Sequence, residues 1–323
     1  MTLQTGRHCL AWAGDRWALA FLDGNRLTVR WASSSAARDE GIASGVGSYA
    51  LAGDGAGALA LGYVVASTLW VRLFQGGRWS QPFGVATRVG ALPVLRTWCQ
   101  GGAQRAEVVW GSAGGAVWSR RYSGTRWDSP MLLDGDVTAG FPALAGDGGG
   151  GSWAAWRVGT QDSGYQIRFA RRDADTLPWE GWGHSIAGMD PDLALDDGIL
   201  LLGYHQGGKS VHVATFDADG SGEAPLSTSR LDTSGLFVGV AAGAGRRLAT
   251  WSHWPSASSD AKDDTTRTVR AATASGSGAW SVSSPTTATG YQVQPGPAVG
   301  PSGPAVAWAD LTNNQVRLVQ LAA

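Results

Sequence analysis

Hydrophobic and polar positions recur along this chain in a pattern that repeats seven times. In each repeat, a short apolar run ends in an aromatic residue and is followed by a polar or glycine-rich turn. The seven aromatic residues are Phe21, Tyr63, Trp110, Trp156, Tyr204, Trp251 and Trp308, spaced 42 to 57 residues apart. A repeat of about 40 to 50 residues is typical of a β-propeller blade.

Further segments accompany each aromatic position. The segment after it alternates apolar and polar residues and carries one basic residue in each repeat: Arg30, Arg72, Arg120, Arg168, His212, Arg270 and Arg317. The segment before it is apolar and commonly ends in a glycine turn. A partial fourth segment contains Trp79, Trp127, Trp182 or Trp280. Alternation with a period of two indicates half-buried strands, so each repeat predicts four short antiparallel strands, a to d, and no substantial helix.

The sequence therefore predicts an all-β, seven-bladed β-propeller with four-stranded antiparallel blades, in one domain of residues 1–323. We expect blades at residues 7–44, 45–88, 89–136, 137–187, 188–231, 232–288 and 289–323, the last completed by residues 1–6. The seventh repeat has no segment for strand d after Gln315–Leu321. We therefore expect Thr2–Thr5 to pair outside strand c of the last blade, closing the ring and covering two open sheet edges.

Composition narrows the class of protein. Hydrophobic residues make up 43% of the 323 residues and charged residues 16%, which is enough apolar material for a packed core. The formal net charge is −1 and no run of Lys or Arg occurs, so we expect no nucleic-acid partner. No apolar run is long enough for a signal-peptide core or a membrane span. We expect a soluble bacterial protein, cytoplasmic or released without a signal peptide.

The segment from Val117 to Trp127 resembles the Asp-box (BNR) repeats of sialidase-like β-propellers, although no repeat keeps the aspartate of that motif. The repeats are also similar to those of seven-bladed bacterial and fungal propeller lectins. That resemblance implies that sugars bind in shallow pockets between neighbouring blades. It does not extend to sialidase chemistry, because the chain lacks an opening Arg-Ile-Pro motif and has only four glutamates.

The first functional hypothesis is carbohydrate binding without catalysis. An indole offers a face on which the apolar side of a sugar can pack, and a guanidinium offers forked hydrogen-bond donors. The candidate ligand-binding residues are Trp79, Trp127, Trp182, Trp280, Trp254, Lys209, Arg72 and Arg120. The alternative interpretation is structural: the aromatic residues pack between blades, and the arginines bridge strand c to the neighbouring blade.

The second hypothesis is an enzyme, a lyase, a hydrolase or a biosynthetic cyclase, with one site at the channel mouth over blades 4 to 6. The b–c loops of blades 4 and 6, residues 157–164 and 252–266, are unusually long and polar. The candidate acid–base residues are His205, His253, Asp162 and Asp190. A protein-interaction scaffold is the third hypothesis, since the fold alone does not separate the three.

Cofactors are not expected, with calcium as the one alternative. Asp190 and Asp192 could supply the oxygen ligands that calcium prefers, but they lack EF-hand spacing. The expected partner is a glycan or small-molecule ligand, with no membrane. A lectin should repeat its polar set in several blades, whereas an enzyme should concentrate unlike residues in one place.

Overall fold

The computed structural model describes residues 3–4, 9–33, 36–90, 92–147, 150–174, 177–207, 209–222, 224–254, 267–276, 278–285 and 292–321. Every regular element within these ranges is a β-strand, and the strands form seven antiparallel sheets. None of the described residues belongs to a helix that could cross a membrane.

Blade 1 contains β1 (Leu3–Gln4), β2 (Leu10–Trp12), β3 (Trp17–Asp23), β4 (Arg26–Ala32) and β5 (Ala37–Ala43). Blade 2 contains β6 (Val46–Gly53), β7 (Leu59–Val65), β8 (Thr68–Gln75), β9 (Arg78–Trp79) and β10 (Phe83–Ala86). Blade 3 contains β11 (Val94–Gln100), β12 (Ala103–Ser112), β13 (Gly115–Tyr122) and β14 (Met131–Asp134). Blade 4 contains β15 (Gly140–Gly146), β16 (Ser152–Thr160), β17 (Gly164–Arg172) and β18 (Glu180–Ala187).

Blade 5 contains β19 (Met189–Asp196), β20 (Ile199–Gln206), β21 (Ser210–Asp217) and β22 (Ser227–Asp232). Blade 6 contains β23 (Gly235–Gly243), β24 (Arg246–His253), β25 (Thr268–Ser275) and β26 (Ser281–Ser283). Blade 7 contains β27 (Gln292–Gly300), β28 (Gly303–Asp310) and β29 (Gln315–Gln320). Each blade is built on an antiparallel meander with strand a innermost; in addition, β1 and β2 both pair with β3 in blade 1, and β9 and β10 both pair with β8 in blade 2. The innermost strands contact one another around the ring, from β2 through β6, β11, β15, β19 and β23 to β27 and back to β2. The protein is therefore a seven-bladed β-propeller.

The expected closure of the ring by the N-terminal strand is wrong. β1 pairs with β3 inside the first blade, with Leu3 opposite Asp23 and Gln4 opposite Leu22. β2 covers only the other end of β3, so that β1 and β2 share one edge of the longer strand. Blade 7 accordingly has three strands within the described residues, and the ring closes through the contact of β27 with β2.

The repeated aromatic residues form the core between blades. All seven are buried, and Trp251 and Trp308 are almost completely enclosed. Two of the indoles donate a hydrogen bond to aspartates in equivalent positions. Trp156 donates one of 2.7 Å to Asp134, and Trp251 donates one to Asp232. Each aspartate ends strand d of the preceding blade. The structural interpretation of this column therefore describes the fold: all seven rings are buried between blades, and the N–H groups of Trp156 and Trp251 are satisfied by hydrogen bonds.

The alternating strand directions place the turns on two faces. The a–b and c–d turns lie on one face of the ring, which we call the lower face. The b–c turns and the d–a links lie on the other, which we call the upper face, around the channel mouth. The candidate residues predicted from the c–d hairpins and those predicted from the b–c loops are consequently on opposite faces of the molecule.

Candidate functional site

A histidine–aspartate pair lies on the upper face between blades 5 and 6. Asp232 ends β22 and His253 ends β24, and Asp232 Oδ2 is 2.7 Å from His253 Nδ1. The Ser234 N–H also donates to Asp232, at 2.9 Å. Burial alone would raise the pKa of Asp232, but the hydrogen bonds from His253, Ser234 and Trp251 outweigh it and lower that pKa to about 2. Asp232 is therefore an anion throughout the physiological range and fixes the orientation of the imidazole.

Two cations pack on an indole beside this pair. Lys209 Nζ lies 4.5 Å from the ring centre of Trp254, and Arg267 Cζ lies 4.4 Å from it. Backbone hydrogen bonds of 2.8 Å hold this loop in place, from Trp254 N to Ser234 O and from Gly235 N to Lys209 O. Of the long b–c loop predicted at residues 252–266, the part from 255 to 266 lies outside the described residues. The structure therefore brings together His253, Trp254 and Lys209 from the predicted set.

The other predicted acid–base residues do not join this group. His205 is completely buried and its Nε2 accepts a 3.2 Å hydrogen bond from the Val238 N–H. Asp192 is also buried, and its Oδ2 accepts a 2.8 Å bond from the Val240 N–H. Asp162 is exposed on the b–c turn of blade 4. These backbone hydrogen bonds join β20 and β19 of blade 5, which carry His205 and Asp192, to β23 of blade 6.

Asp190 belongs to a second cluster on the upper face, between blades 4 and 5. Its carboxylate is 3.6 Å from Arg157, whose guanidinium carbon lies 4.0 Å from the ring centre of Phe141 and 4.6 Å from that of Tyr165. Asp190, Phe141 and Phe237 occupy equivalent bulges at the start of strand a, with φ of 53°, 51° and 58°. Non-glycine residues in this region carry backbone strain, which is concentrated at functional sites in proteins.

No metal site forms around the predicted ligands. Among the residues that the structure describes, no three His, Cys, Asp or Glu side chains converge to hold an ion. Asp190 faces Arg157, and Asp192 accepts a backbone hydrogen bond. The calcium alternative has no support in this part of the chain.

The four tryptophans predicted for sugar stacking are half-buried and pack in the boundaries between blades. Trp79 lies 6.2 Å from Trp31 of blade 1 between ring centres, and Trp127 packs on the cluster between blades 2 and 3. Trp182 lies 5.3 Å from Phe216 of the next blade. Trp280 packs on the cluster between blades 5 and 6. All four tryptophans therefore contribute to the packing between blades.

The arginine column has two kinds of partner. Arg120 donates to Val85 O of blade 2, and Arg168 pairs with Asp134 and Asp136 of blade 3, so these two bridge blades as the structural interpretation expects. Arg72 donates instead to Ser80 O within its own blade. Arg30 and Arg317 also stay within their blades, pairing with Asp39 and Asp310. The column is thus not one repeated structural bridge.

The outer hairpin of blade 1, formed by β4 and β5, carries a polar set on the face toward blade 7. Arg30 Nε and Nη2 donate to the two oxygens of Asp39 at 2.7 and 2.8 Å, and the guanidinium lies 5.3 Å from the ring centre of Phe21. The hydrogen bond from Arg30 holds the pKa of Asp39 below its usual value. An open depression of about 620 Å³ contains this pair, with Asn314 and Gln315 of blade 7 on its far side.

The same hairpin carries a second set on the face toward blade 2. The Trp31 indole donates a 3.0 Å hydrogen bond to Glu40, and the ring of Phe74 lies 4.7 Å from that of Trp31. An open depression of about 540 Å³ includes these residues, Arg38 and the Asp15–Arg16 pair. A third depression, of about 310 Å³, lies between blades 3 and 4 and includes the predicted Arg120.

Asp232, Arg267 and the charged run Arg38–Asp39–Glu40 were not among the predicted site residues. The run carries one signal in the sequence, since three successive charges break the apolar alternation expected of a strand. Asp232 and Arg267 carry no such signal. Their roles depend on which residue of the neighbouring strand or blade lies opposite.

Proteins of similar fold include propeller lectins and a prolyl endopeptidase. No protein-family model matches the chain, and a comparison with curated proteins gave no match. A mutant Aleuria aurantia lectin in complex with Fucα1-6GlcNAc is similar in structure, with a TM-score of 0.61, 14% identity and 88% of this chain and 97% of that chain covered. AofleA from Arthrobotrys oligospora gives a TM-score of 0.61 at 9% identity, covering 87% of each chain.

A prolyl endopeptidase structure also matches, with a TM-score of 0.55 and 11% identity, over 98% of this chain and 49% of that chain. The structural neighbours of this seven-bladed propeller therefore include fucose-binding propeller lectins. Identities this low show a shared fold. The function has to be argued from the residues of this chain.

Proposed function

We propose that this protein is a lectin-like propeller that binds carbohydrate in shallow sites at the blade boundaries, without catalysis. The observation that carries the proposal is the outer hairpin of blade 1. It presents a guanidinium or an indole beside a carboxylate and an aromatic ring on each of its two faces. Two successive blade boundaries thereby carry related sets of residues, as a lectin with repeated sites requires.

The chemistry of these sets suits a sugar. Each sugar hydroxyl both donates and accepts hydrogen bonds, and the Arg30–Asp39 pair supplies donors and acceptors side by side. The carboxylate of Asp39 stays ionised at neutral pH because Arg30 lowers its pKa. Toward blade 2, the half-buried ring of Phe74 offers an apolar surface next to the acceptor Glu40.

The depressions are open, so each contact with a ligand is limited and each site is expected to be weak on its own. Several weak sites on one molecule increase the affinity for a multivalent glycan surface through avidity. Proteins of similar fold have been solved with α-methyl-L-fucoside and with Fucα1-6GlcNAc, which makes fucosides the first class to test.

A glycan array tests the proposal with the purified protein and three variants. We expect binding to one sugar class and an about tenfold loss of affinity in Asp39→Asn or Glu40→Gln, because each removes a charged acceptor. Glu180→Gln, which changes an exposed glutamate of blade 4, is the matched control and should bind as the unmodified protein does. A blank array, or equal binding by all variants, would refute the proposed sites.

A second candidate function is favoured by the Asp232–His253 hydrogen bond. A carboxylate that orients an imidazole is an arrangement used for general acid–base catalysis. Mass spectrometry of glycans recovered after incubation would detect cleavage or elimination. Turnover that is lost in His253→Asn would favour an enzyme, and unchanged glycans would count against it.

A further inference from the structure

A depression of about 550 Å³ opens on the upper face between blades 4 and 5. Gln161 lines it from the b–c turn of blade 4, and Gln206 lines it from the end of strand b in blade 5. The link from β18 to β19, residues 187–189, and the side chain of Tyr165 complete the lining. The volume lies within the usual range of sites for small molecules.

The alternation of side chains along the strands decides which of them face this boundary. Ile167 and Tyr204 pack in the hydrophobic cluster between blades 4 and 5. Side chains two residues apart in a strand share a face, so Tyr165 and Gln206 point to the same boundary. His205 points to the opposite face, where its Nε2 accepts a hydrogen bond from blade 6. The imidazole is therefore turned away from the depression.

A guanidinium holds the ring of Tyr165 in place. Arg157 Cζ lies 4.6 Å from the centre of this ring and 4.0 Å from that of Phe141, so it contacts both rings. The carboxylate of Asp190 is 3.6 Å from the same guanidinium and compensates its charge. Tyr165 thus offers an aromatic surface whose position is fixed before a ligand binds, which lowers the entropic cost of binding.

The lining of this depression is uncharged. Within the described part of the chain, it contains no Asp, Glu, Lys or Arg. The two depressions of blade 1 and the one between blades 3 and 4 each contain at least four such residues. An ion that entered the depression between blades 4 and 5 would lose water without gaining a countercharge, so the site selects an uncharged ligand.

The groups in the lining suit a flat heteroaromatic ring. Tyr165 and Met189 are half-buried and supply an aromatic ring and a thioether, both of which form favourable contacts with aromatic ligands. Gln161 and Gln206 are exposed, and each amide carries both donors and an acceptor. A glutamine amide can pair with the donor and acceptor that adjoin each other on the edge of an adenine base.

We infer that the depression between blades 4 and 5 binds an uncharged heteroaromatic ring of the purine type. The ring stacks on Tyr165, and its polar edge pairs with Gln161 and Gln206. This site is separate from the depressions of blade 1, and the inference does not depend on carbohydrate binding.

Calorimetric titration of the unmodified protein with adenosine, ribose and adenosine 5′-monophosphate tests the inference. We expect adenosine to bind more tightly than ribose by about tenfold or more, because only adenosine carries the ring that stacks. The phosphate should add no affinity, because no cation lines the site. Equal affinity for adenosine and ribose, or no binding of adenosine, would overturn the inference, as would markedly tighter binding of the monophosphate.

Two variants locate the bound ring. Tyr165→Leu keeps an apolar side chain but removes the stacking surface, and it should weaken adenosine binding by about tenfold. Gln206→Ala changes an exposed residue, so it does not endanger folding, and it should weaken binding by about fivefold. Gln100→Ala, which changes an exposed glutamine at the end of β11 on the lower face, is the matched control. Unchanged affinity in Tyr165→Leu and Gln206→Ala, or an equal loss in Gln100→Ala, would contradict the assigned site.

This inference and the proposed function fail separately. Adenosine binding that depends on Gln206, together with a blank glycan array, would refute only the carbohydrate sites. Glycan binding that depends on Asp39 and Glu40, without binding of adenosine, would refute only the site between blades 4 and 5.

Discussion

Single residues at the blade boundaries combine polar and apolar roles. Trp156 and Trp251 fill the core and also donate to an aspartate of the preceding blade. The sequence predicts the positions of these aromatic residues, because they recur once in every repeat. It does not predict the aspartates, because the contact depends on how two blades are placed against each other and not on local spacing.

A substitution of Glu107 tests how much one buried carboxylate contributes to stability. Glu107→Gln keeps the size of the side chain but leaves Arg96 and Arg172 without their shared buried carboxylate. Breaking a buried ion pair from one side costs about 3 to 5 kcal/mol, so we expect a loss of that size in the free energy of unfolding measured with urea. The exposed Glu180→Gln should change it by less than about 0.5 kcal/mol. Equal values for the two variants would show that Glu107, Arg96 and Arg172 are not held together by charge.

The strands could be predicted from the sequence, but the pairing of the N-terminal strand could not. Alternation and turn residues predict the strands of each blade, since both signals are local. The N-terminal strand was expected in blade 7 but lies in blade 1, because β2 is short and leaves the end of β3 open to β1. The competition between two possible edges is a property of the folded ring, and the sequence of either strand does not reveal it.

The hydrogen bond between Asp232 of β22 and His253 of β24 predicts that the free energy of unfolding depends on pH. The folded pKa of Asp232, about 2, lies below its ordinary value of 3.8. A group with a lowered pKa stabilises the fold above its unfolded pKa, and this contribution is lost as the pH falls from about 4 toward 2. We expect the difference in unfolding free energy between the unmodified protein and Asp232→Asn to shrink by about 1 to 2 kcal/mol between pH 5 and pH 2.

Urea unfolding at the two pH values measures this difference. The exposed Asp162→Asn serves as the control variant and should show a small difference at both. A difference for Asp232→Asn that stays constant with pH would mean that the carboxylate is not held as an anion by His253, Ser234 and Trp251.

The whole molecule is a ring of seven blades, and the boundary between neighbouring blades recurs around it. The Aleuria aurantia lectin structure described as a six-bladed propeller matches with a TM-score of 0.57, yet this chain has seven sheets. Similar blades therefore accommodate different ring sizes, and each boundary can carry its own set of polar residues. The fold could be predicted almost completely from the repeat. For the sites at the blade boundaries, only the types of residue could be predicted and not the particular residues, because each site combines residues from two blades.

Native mass spectrometry of the protein with the glycan selected on the array would count the bound carbohydrate directly. We expect more than one glycan per chain, with Asp39→Asn and Glu40→Gln each lowering the occupancy by one while Glu180→Gln leaves it unchanged. A single bound glycan that is unaffected by both variants, or no bound glycan, would contradict carbohydrate binding at the blade boundaries.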